Sequence, residues 1–139
     1  MSCQEKIDNL IDVSKKCQIA PCSFDGVYQP AFGGVFYGRG NSYDIIKAIG
    51  VDPSKATIPT LLEQCKHVCS LSYKDWQKVL KKKDAETGCF EALYLYTLIT
   101  KGFHVPSDHS FYWVDYVDGK KVVWALGKFL EIVDEMNTL

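Results

Sequence analysis

Between residues 89 and 99 only Glu91 and Thr97 interrupt a run of apolar side chains. Phe90, Leu93, Tyr94 and Leu98 follow the three-four spacing of a helix, and Leu95, Tyr96 and Ile99 carry the apolar surface round most of its circumference. A helix apolar on nearly every face is buried among neighbours. The segment 86–103 is therefore predicted as a central core helix. Gly102 closes it by its tolerance of left-handed backbone, and Lys101 suits the negative end of the helix dipole.

Shorter periodic segments flank this one. Residues 5–15 set Ile7, Leu10 and Ile11 on one face of an amphipathic helix. Ser42 is the expected cap of a helix over 43–49, which Gly50 ends. Thr57 caps a helix over 58–69 with Pro59 in its first turn. Ser72 opens another over 73–82, which ends in a lysine run. After the central helix, residues 111–117 alternate aromatic and β-branched side chains and read as a strand. Asp118-Gly119 is a hairpin turn signal, with the returning strand over 121–124. A closing helix over 125–136 places Leu126, Phe129, Leu130 and Val133 on one face. The remaining segment, 17–41, interleaves glycines and prolines with Phe24, Tyr28, Phe32, Phe36 and Tyr37. Flexible linkers lack aromatics, so this segment reads as a long ordered loop region.

At 139 residues, 47% hydrophobic and 24% charged, the chain has the composition of one globular domain. The net charge of −1 points to neither nucleic acid nor an anionic membrane as partner. Arg39 is the one arginine among 16 basic residues, and phosphate-reading surfaces usually use more guanidinium forks. No apolar run is long enough to span a bilayer, and residues 1–16 are polar and amphipathic, unlike a secretory leader. Six cysteines, Cys3, Cys17, Cys22, Cys65, Cys69 and Cys89, form an even set that favours an oxidising compartment.

Residue chemistry alone yields no catalytic constellation. Cys65 and Cys69 share a helix face, with His67 between them, but structural zinc wants four ligands at recognisable spacing and no second knuckle exists. Disulfide or buried thiol is the favoured reading. No protease signature surrounds any cysteine. The glycines between Gly33 and Gly40 lack the Gly-Lys-Ser/Thr of a Walker loop and the Rossmann spacing; they read as a loop where aromatic rings pack close to backbone. The carboxylates Asp134 and Glu135 read as solvated surface. No metal site is expected within this chain.

Three stretches together resemble the nucleoside triphosphate diphosphohydrolases, or apyrases. The first is Cys17-Gln-Ile-Ala-Pro-Cys22-Ser-Phe-Asp-Gly-Val-Tyr-Gln-Pro30, similar to the family's spaced cysteine pair followed by Phe-Asn-Gly-Val and proline. The second is Gly88-Cys-Phe-Glu-Ala-Leu-Tyr, running on to Gly102-Phe103. The third is Trp124-Ala-Leu-Gly127, similar to the family's Trp-x-Leu-Gly. Their order and spacing fit nearly the whole chain.

The resemblance implies an α/β fold: the C-terminal portion of an actin-like, ribonuclease-H-like lobe, helix-rich with a short β-hairpin and stapled by disulfides. Residues 1–139 would form a single domain, a partial second lobe. The implied protein is a calcium- or magnesium-dependent hydrolase of nucleoside di- and triphosphates such as ATP and ADP, secreted, extracellular or in the secretory-pathway lumen. The family's phosphate loops and its catalytic glutamate precede the first stretch seen here, so this chain alone is expected to be inactive and to bind no metal. It would share the nucleotide with an upstream lobe. The alternative is a stand-alone secreted binding module that keeps the scaffold without the enzyme. By resemblance Cys17 pairs with Cys22 and Cys69 with Cys89. Cys3 is left unpaired, and Cys65 has no family counterpart. Tyr43 matches the family aromatic that stacks on the nucleobase, with Tyr37 or Arg39 as substitutes. The other face of the base falls to His109, or else His104, from the loop after the central helix. Trp124 and Gly127 are expected to be structural: the indole fills space between sheet and closing helix, and the glycine admits a close backbone.

Overall fold

The core forms where α3 (Ile58–Ser70) lies along α5 (Gly88–Thr97) in the computed structural model, which describes residues 2–31, 33–79, 86–121 and 123–137. Ile58, Leu61, Cys65 and Val68 recur at helical spacing on α3 and are buried against Ala92 and Leu95 of α5. Two further helices pack on α5: α1 (Cys3–Ile11) buries Ile7 and Ile11, and α2 (Asn41–Ala48) buries Ile46. The short α4 (Tyr73–Val79) adds Trp76 to the core. The lysine run expected to end this helix lies outside the described residues.

Local chemistry sets the helix ends. Thr57 and Thr60 form a reciprocal cap on α3: Thr60 N–H donates to Thr57 Oγ1 at 3.3 Å and Thr57 N–H to Thr60 Oγ1 at 2.7 Å. Ser2 and Glu5 do the same for α1, which is why that helix begins at Cys3, ahead of the expected residue 5. It stops at Ile11, because Asp12 turns into the left-handed region at φ 38°. Ser42 does not cap α2. Gly40, at φ 66°, is the cap and the helix begins at Asn41, two residues earlier than expected, while the Ser42 hydroxyl donates to the Arg39 carbonyl at 2.9 Å. The central helix is buried on the α1, α2 and α3 sides, while Phe90 remains exposed. Its buried Thr97 is satisfied, donating to the Leu93 carbonyl and accepting from Gln4. Beyond Thr97 the helix widens to a π-helical turn, Leu98–Gly102.

The segment 17–41 is not loop throughout. It contains β1 (Phe36–Gly38), which pairs in parallel with β2 (Phe111–Trp113), Phe36 opposite Phe111 and Gly38 opposite Trp113. A Cβ at Gly38 would lie 2.6 Å from the Trp113 ring and 2.7 Å from Phe111, so only glycine fits under these two rings. The strand expected over 111–117 is broken at Val114 and Asp115. Tyr116 and Val117 form β3 (Tyr116–Val117), which pairs antiparallel with β4 (Lys120–Lys121). Asp118 and Gly119 between them both have positive φ, 49° and 72°, as a type I′ turn requires. The returning strand expected over 121–124 is described at Lys120–Lys121 and includes neither Val123 nor Trp124; Val122 lies outside the described residues.

Trp124 is the first residue of α6 (Trp124–Asn137), and it is 81% exposed. The expected burial between sheet and helix is not found. Leu126, Phe129, Leu130 and Met136 of α6 are exposed with it, so the apolar face of this helix meets no core surface among the described residues. A Cβ added at Gly127 would likewise meet nothing within 4 Å, so no backbone from another described element approaches it closely. In this chain Trp124→Ala is therefore expected to change stability by no more than about 0.5 kcal/mol. A thermal melt of the variant checks this; a loss above about 2 kcal/mol would mean that α6 packs on the core.

Two disulfides staple the fold. Cys17 is joined to Cys22, and Cys69, at the end of α3, to Cys89, at the start of α5. A zinc role for Cys69 is closed by this bond. Cys3 is a free exposed thiol and Cys65 a free buried one. Burial pushes the Cys65 thiol up to about 12, so it stays protonated and unreactive at neutral pH. With excess iodoacetamide at mildly alkaline pH, intact-mass analysis should show one rapid addition, at Cys3. The second should follow only in denaturant. Two additions at equal rates under native conditions would contradict the burial of Cys65.

Candidate functional site

In open parallel sheets, ligands gather beyond the carboxyl ends of the strands. Here those ends are Arg39 after β1 and Val114-Asp115 after β2. Val114 N–H donates to the Gly38 carbonyl at 2.9 Å, extending the ladder past the strands. One residue on, the Arg39 guanidinium donates to Asp115 Oδ1 at 3.0 Å. The ion pair is partly shielded from solvent and ties the two strand ends together. Tyr43 follows in the first turn of α2, with Lys47 Nζ 5.5 Å from its ring centroid.

Beside these strand ends lies a cavity of about 500 Å³, lined by Tyr43, Tyr112 and Tyr116 together with Asp52, Ser54 and Asp115. That volume is in the range of small-molecule sites, roughly 300–1,000 Å³. No lysine or arginine is among its lining residues. Asp52 accepts from the Ser54 hydroxyl at 2.7 Å and the Ser54 N–H at 3.0 Å, and these bonds hold its carboxyl below the usual aspartate value. It is an anion that only accepts hydrogen bonds. Trp113 also lines the cavity; it is buried, and its indole nitrogen has no acceptor among the described residues.

A second cavity, about 650 Å³, lies between the strand pair and the end of α5. Leu95, Leu98, Ile99, Phe103, Val105 and Phe111 dominate its wall, and Arg39 is its one charged lining residue. Its chemistry is that of apolar packing. It offers no acid, base or nucleophile.

The structure brings Tyr43 and Arg39 to one end of the sheet and leaves His109 at the other. The His109 ring packs beside Phe36, 5.4 Å between centroids, at the amino ends of the strands. His104 is exposed, with φ 56°. Tyr37 is exposed and pairs with Tyr112, 6.0 Å between centroids. Sequence reasoning missed Tyr112, Tyr116, Asp52 and Asp115. Tyr112 is the outward position of an alternating strand, and only the parallel pairing with β1 makes the residues after it a site.

No three His, Cys, Asp or Glu side chains among the described residues converge to hold a metal ion. The calcium or magnesium implied by the resemblance finds no ligand set here. No helix among the described residues is long and apolar enough to cross a membrane.

Comparison with known proteins decides the family. The model of the GDA1/CD39 (nucleoside phosphatase) family matches residues 1–139. The chain belongs to this family. It is similar to a guanosine-diphosphatase of Schizosaccharomyces pombe, 28% identical over 99% of this chain and 26% of that protein. It is also similar to human ectonucleoside triphosphate diphosphohydrolase 3, at 27% identity over 96% of the chain and 26% of the relative. Bovine ectonucleoside triphosphate diphosphohydrolase 1 matches at 24% identity, over 96% and 27%. This GDA1/CD39 family member thus spans about a quarter of the length of the relatives it matches.

Proposed function

We propose that this chain is the nucleobase-side part of a nucleoside di- and triphosphate hydrolase, the C-terminal portion of its second, actin-like lobe. The observation that carries the reading is the tyrosine-walled cavity at the carboxyl ends of β1 and β2, with Tyr43 at its edge. Aromatic walls suit a base, because every base has a π-face. The phosphates and the metal are assigned to the family's phosphate loops and catalytic glutamate, which the resemblance places upstream of the stretches seen in this chain. Hydrolysis of a phosphoanhydride needs positioned donors, a divalent metal and a base. The chain alone is therefore inactive, and its part is to hold the nucleoside. Arg39 positions Asp115 beside the rings, and His109 supports Phe36 at the far end of the strands. The two disulfides support an oxidising location, secreted or in the secretory-pathway lumen. The guanosine-diphosphatases and ectonucleoside triphosphate diphosphohydrolases among the relatives support a nucleotide substrate.

The test is calorimetric or NMR titration of adenosine and guanosine into the chain and into Tyr43→Ala. Loss of one base stack should weaken binding by about 1–3 kcal/mol. Pyrophosphate, which has no base, should bind neither form. Equal nucleoside affinity for both proteins, or no nucleoside binding at all, would remove Tyr43 from a base site.

A further inference from the structure

We propose that this chain pairs with a second copy of itself by exchanging α6. The apolar face of each α6 seats in the other copy's apolar cavity, between the strand pair and the end of α5. The two surfaces leave apolar side chains uncovered on the same molecule, and each has the shape and chemistry to cover the other.

On α6, Leu126, Phe129, Val133 and Met136 follow one helical stripe, and Leu130 and Ile132 widen it on either side. Leu126, Phe129, Leu130, Ile132 and Met136 are between 43% and 69% exposed. No charged residue interrupts this face, because Lys128, Glu131, Asp134 and Glu135 share the opposite side of the helix. A two-helix seam needs only the narrow stripe, so a face this wide belongs to a helix set into a hollow. A membrane surface is a poor cover. Helices that lie on membranes carry lysine and arginine on their polar face, and this one carries one lysine against three acids.

The hollow is the cavity of about 650 Å³. Its lining passes from buried Leu95, Ile99 and Val105 to exposed Ala31, Gly33 and Tyr37, so it opens at the surface. Arg39, its one charged lining residue, is already paired with Asp115 at 3.0 Å, which leaves the wall without an uncompensated charge. A charge-free helix face fits it. Helix-in-groove recognition uses anchors at i, i+3, i+4 and i+7, and Leu126, Phe129, Leu130 and Val133 have that spacing. The α6 face exposes on the order of 500 Å² of apolar side chain. A reciprocal exchange buries two such faces and two cavity mouths, roughly 2,000 Å² in all, within the range of stable interfaces. One α6 against another would bury about half of that, at the lower limit for a specific contact. The twofold exchange also closes both surfaces in each copy, whereas one-way docking leaves a helix and a cavity bare at the ends.

The experiment is analytical ultracentrifugation of the unaltered chain over a concentration series, with two variants at exposed positions. Phe129→Glu puts a charge on the α6 face, and Ala31→Glu puts one at the cavity mouth. The unaltered chain should show a monomer–dimer equilibrium with a dissociation constant in roughly the micromolar range. Each variant alone should associate at least about 10-fold more weakly, because docking would bury an unpaired carboxylate. Mixed, the two variants should pair more tightly than either does alone: the intact α6 of the Ala31→Glu chain meets the intact cavity of the Phe129→Glu chain. A monomer at every concentration would overturn the proposal. Association lost in Phe129→Glu but kept in Ala31→Glu would overturn it in favour of α6–α6 pairing. No recovery in the mixture would overturn the exchange. Co-sedimentation of the chain with phosphatidylcholine vesicles, abolished by Phe129→Glu while self-association persists, would assign the face to a lipid surface and overturn the proposal. The series on the unaltered chain does not depend on whether either variant folds.

Discussion

Leu61→Ala should destabilise the protein by about 2–5 kcal/mol, the range for truncating a fully buried leucine. Leu61 is 0% exposed and sits on α3 in the core shared with α5, α2 and α4. Its loss removes apolar contacts and leaves a cavity, because helices held by a disulfide and by neighbours on several sides cannot collapse freely into the gap. Domains of ordinary stability have about 5–15 kcal/mol in total, so the effect should be a large fraction of the whole. Urea unfolding followed by circular dichroism measures it. Leu126→Ala on exposed α6 is the control, expected within about 0.5 kcal/mol of the parent. A Leu61→Ala loss below about 1 kcal/mol would mean that the α3–α5 contact is not the centre of the core.

Removing the Cys69–Cys89 bridge by paired serine substitution should cost about 3 kcal/mol. The bridge closes a segment of 20 residues that includes all of α4. By chain entropy, a cross-link across that separation restricts the unfolded ensemble by roughly 3 kcal/mol, against about 2 for the five-residue separation of Cys17–Cys22. The Cys69–Cys89 bridge also holds the end of α3 to the start of α5, where the main core helices meet. Its loss should lower the melting temperature by roughly 10 °C, and more than loss of the Cys17–Cys22 bridge. The comparison is made on the two paired variants under the same buffer. An equal or larger loss for the Cys17–Cys22 pair would show that the long-loop bridge is not the main covalent staple.

Helices were legible wherever one face repeats every three to four residues and a local cap marks an end. Thr57 with Pro59 placed the start of α3 because capping is settled within a few residues of chain. The turn at Asp118-Gly119 was legible for the same reason. The hydrophobic face of α6 was equally visible, and its helix forms, but whether such a face is covered depends on a partner surface. Periodicity says which side is apolar, and nothing about what meets it. Trp124 shows the limit: its size suggested burial, yet its place at the head of an exposed helix leaves it in solvent.

By itself, the sequence determined the helical segments, the hairpin turn, the apolar run of α5 and, through its resemblance to a known family, the cysteine pairs. These depend on contacts or motifs close along the chain. The tertiary structure decided the parallel pairing of Phe36–Gly38 with Phe111–Trp113, two segments far apart in the chain. A three-residue strand inside a glycine-rich segment has too little alternation to announce itself, and a parallel partner leaves no turn signal between the two. That pairing alone sets Arg39 against Asp115 and gathers Tyr43, Tyr112 and Tyr116 round one cavity, while it carries His109 to the opposite end. The site is made by long-range register, which no local pattern of residues encodes.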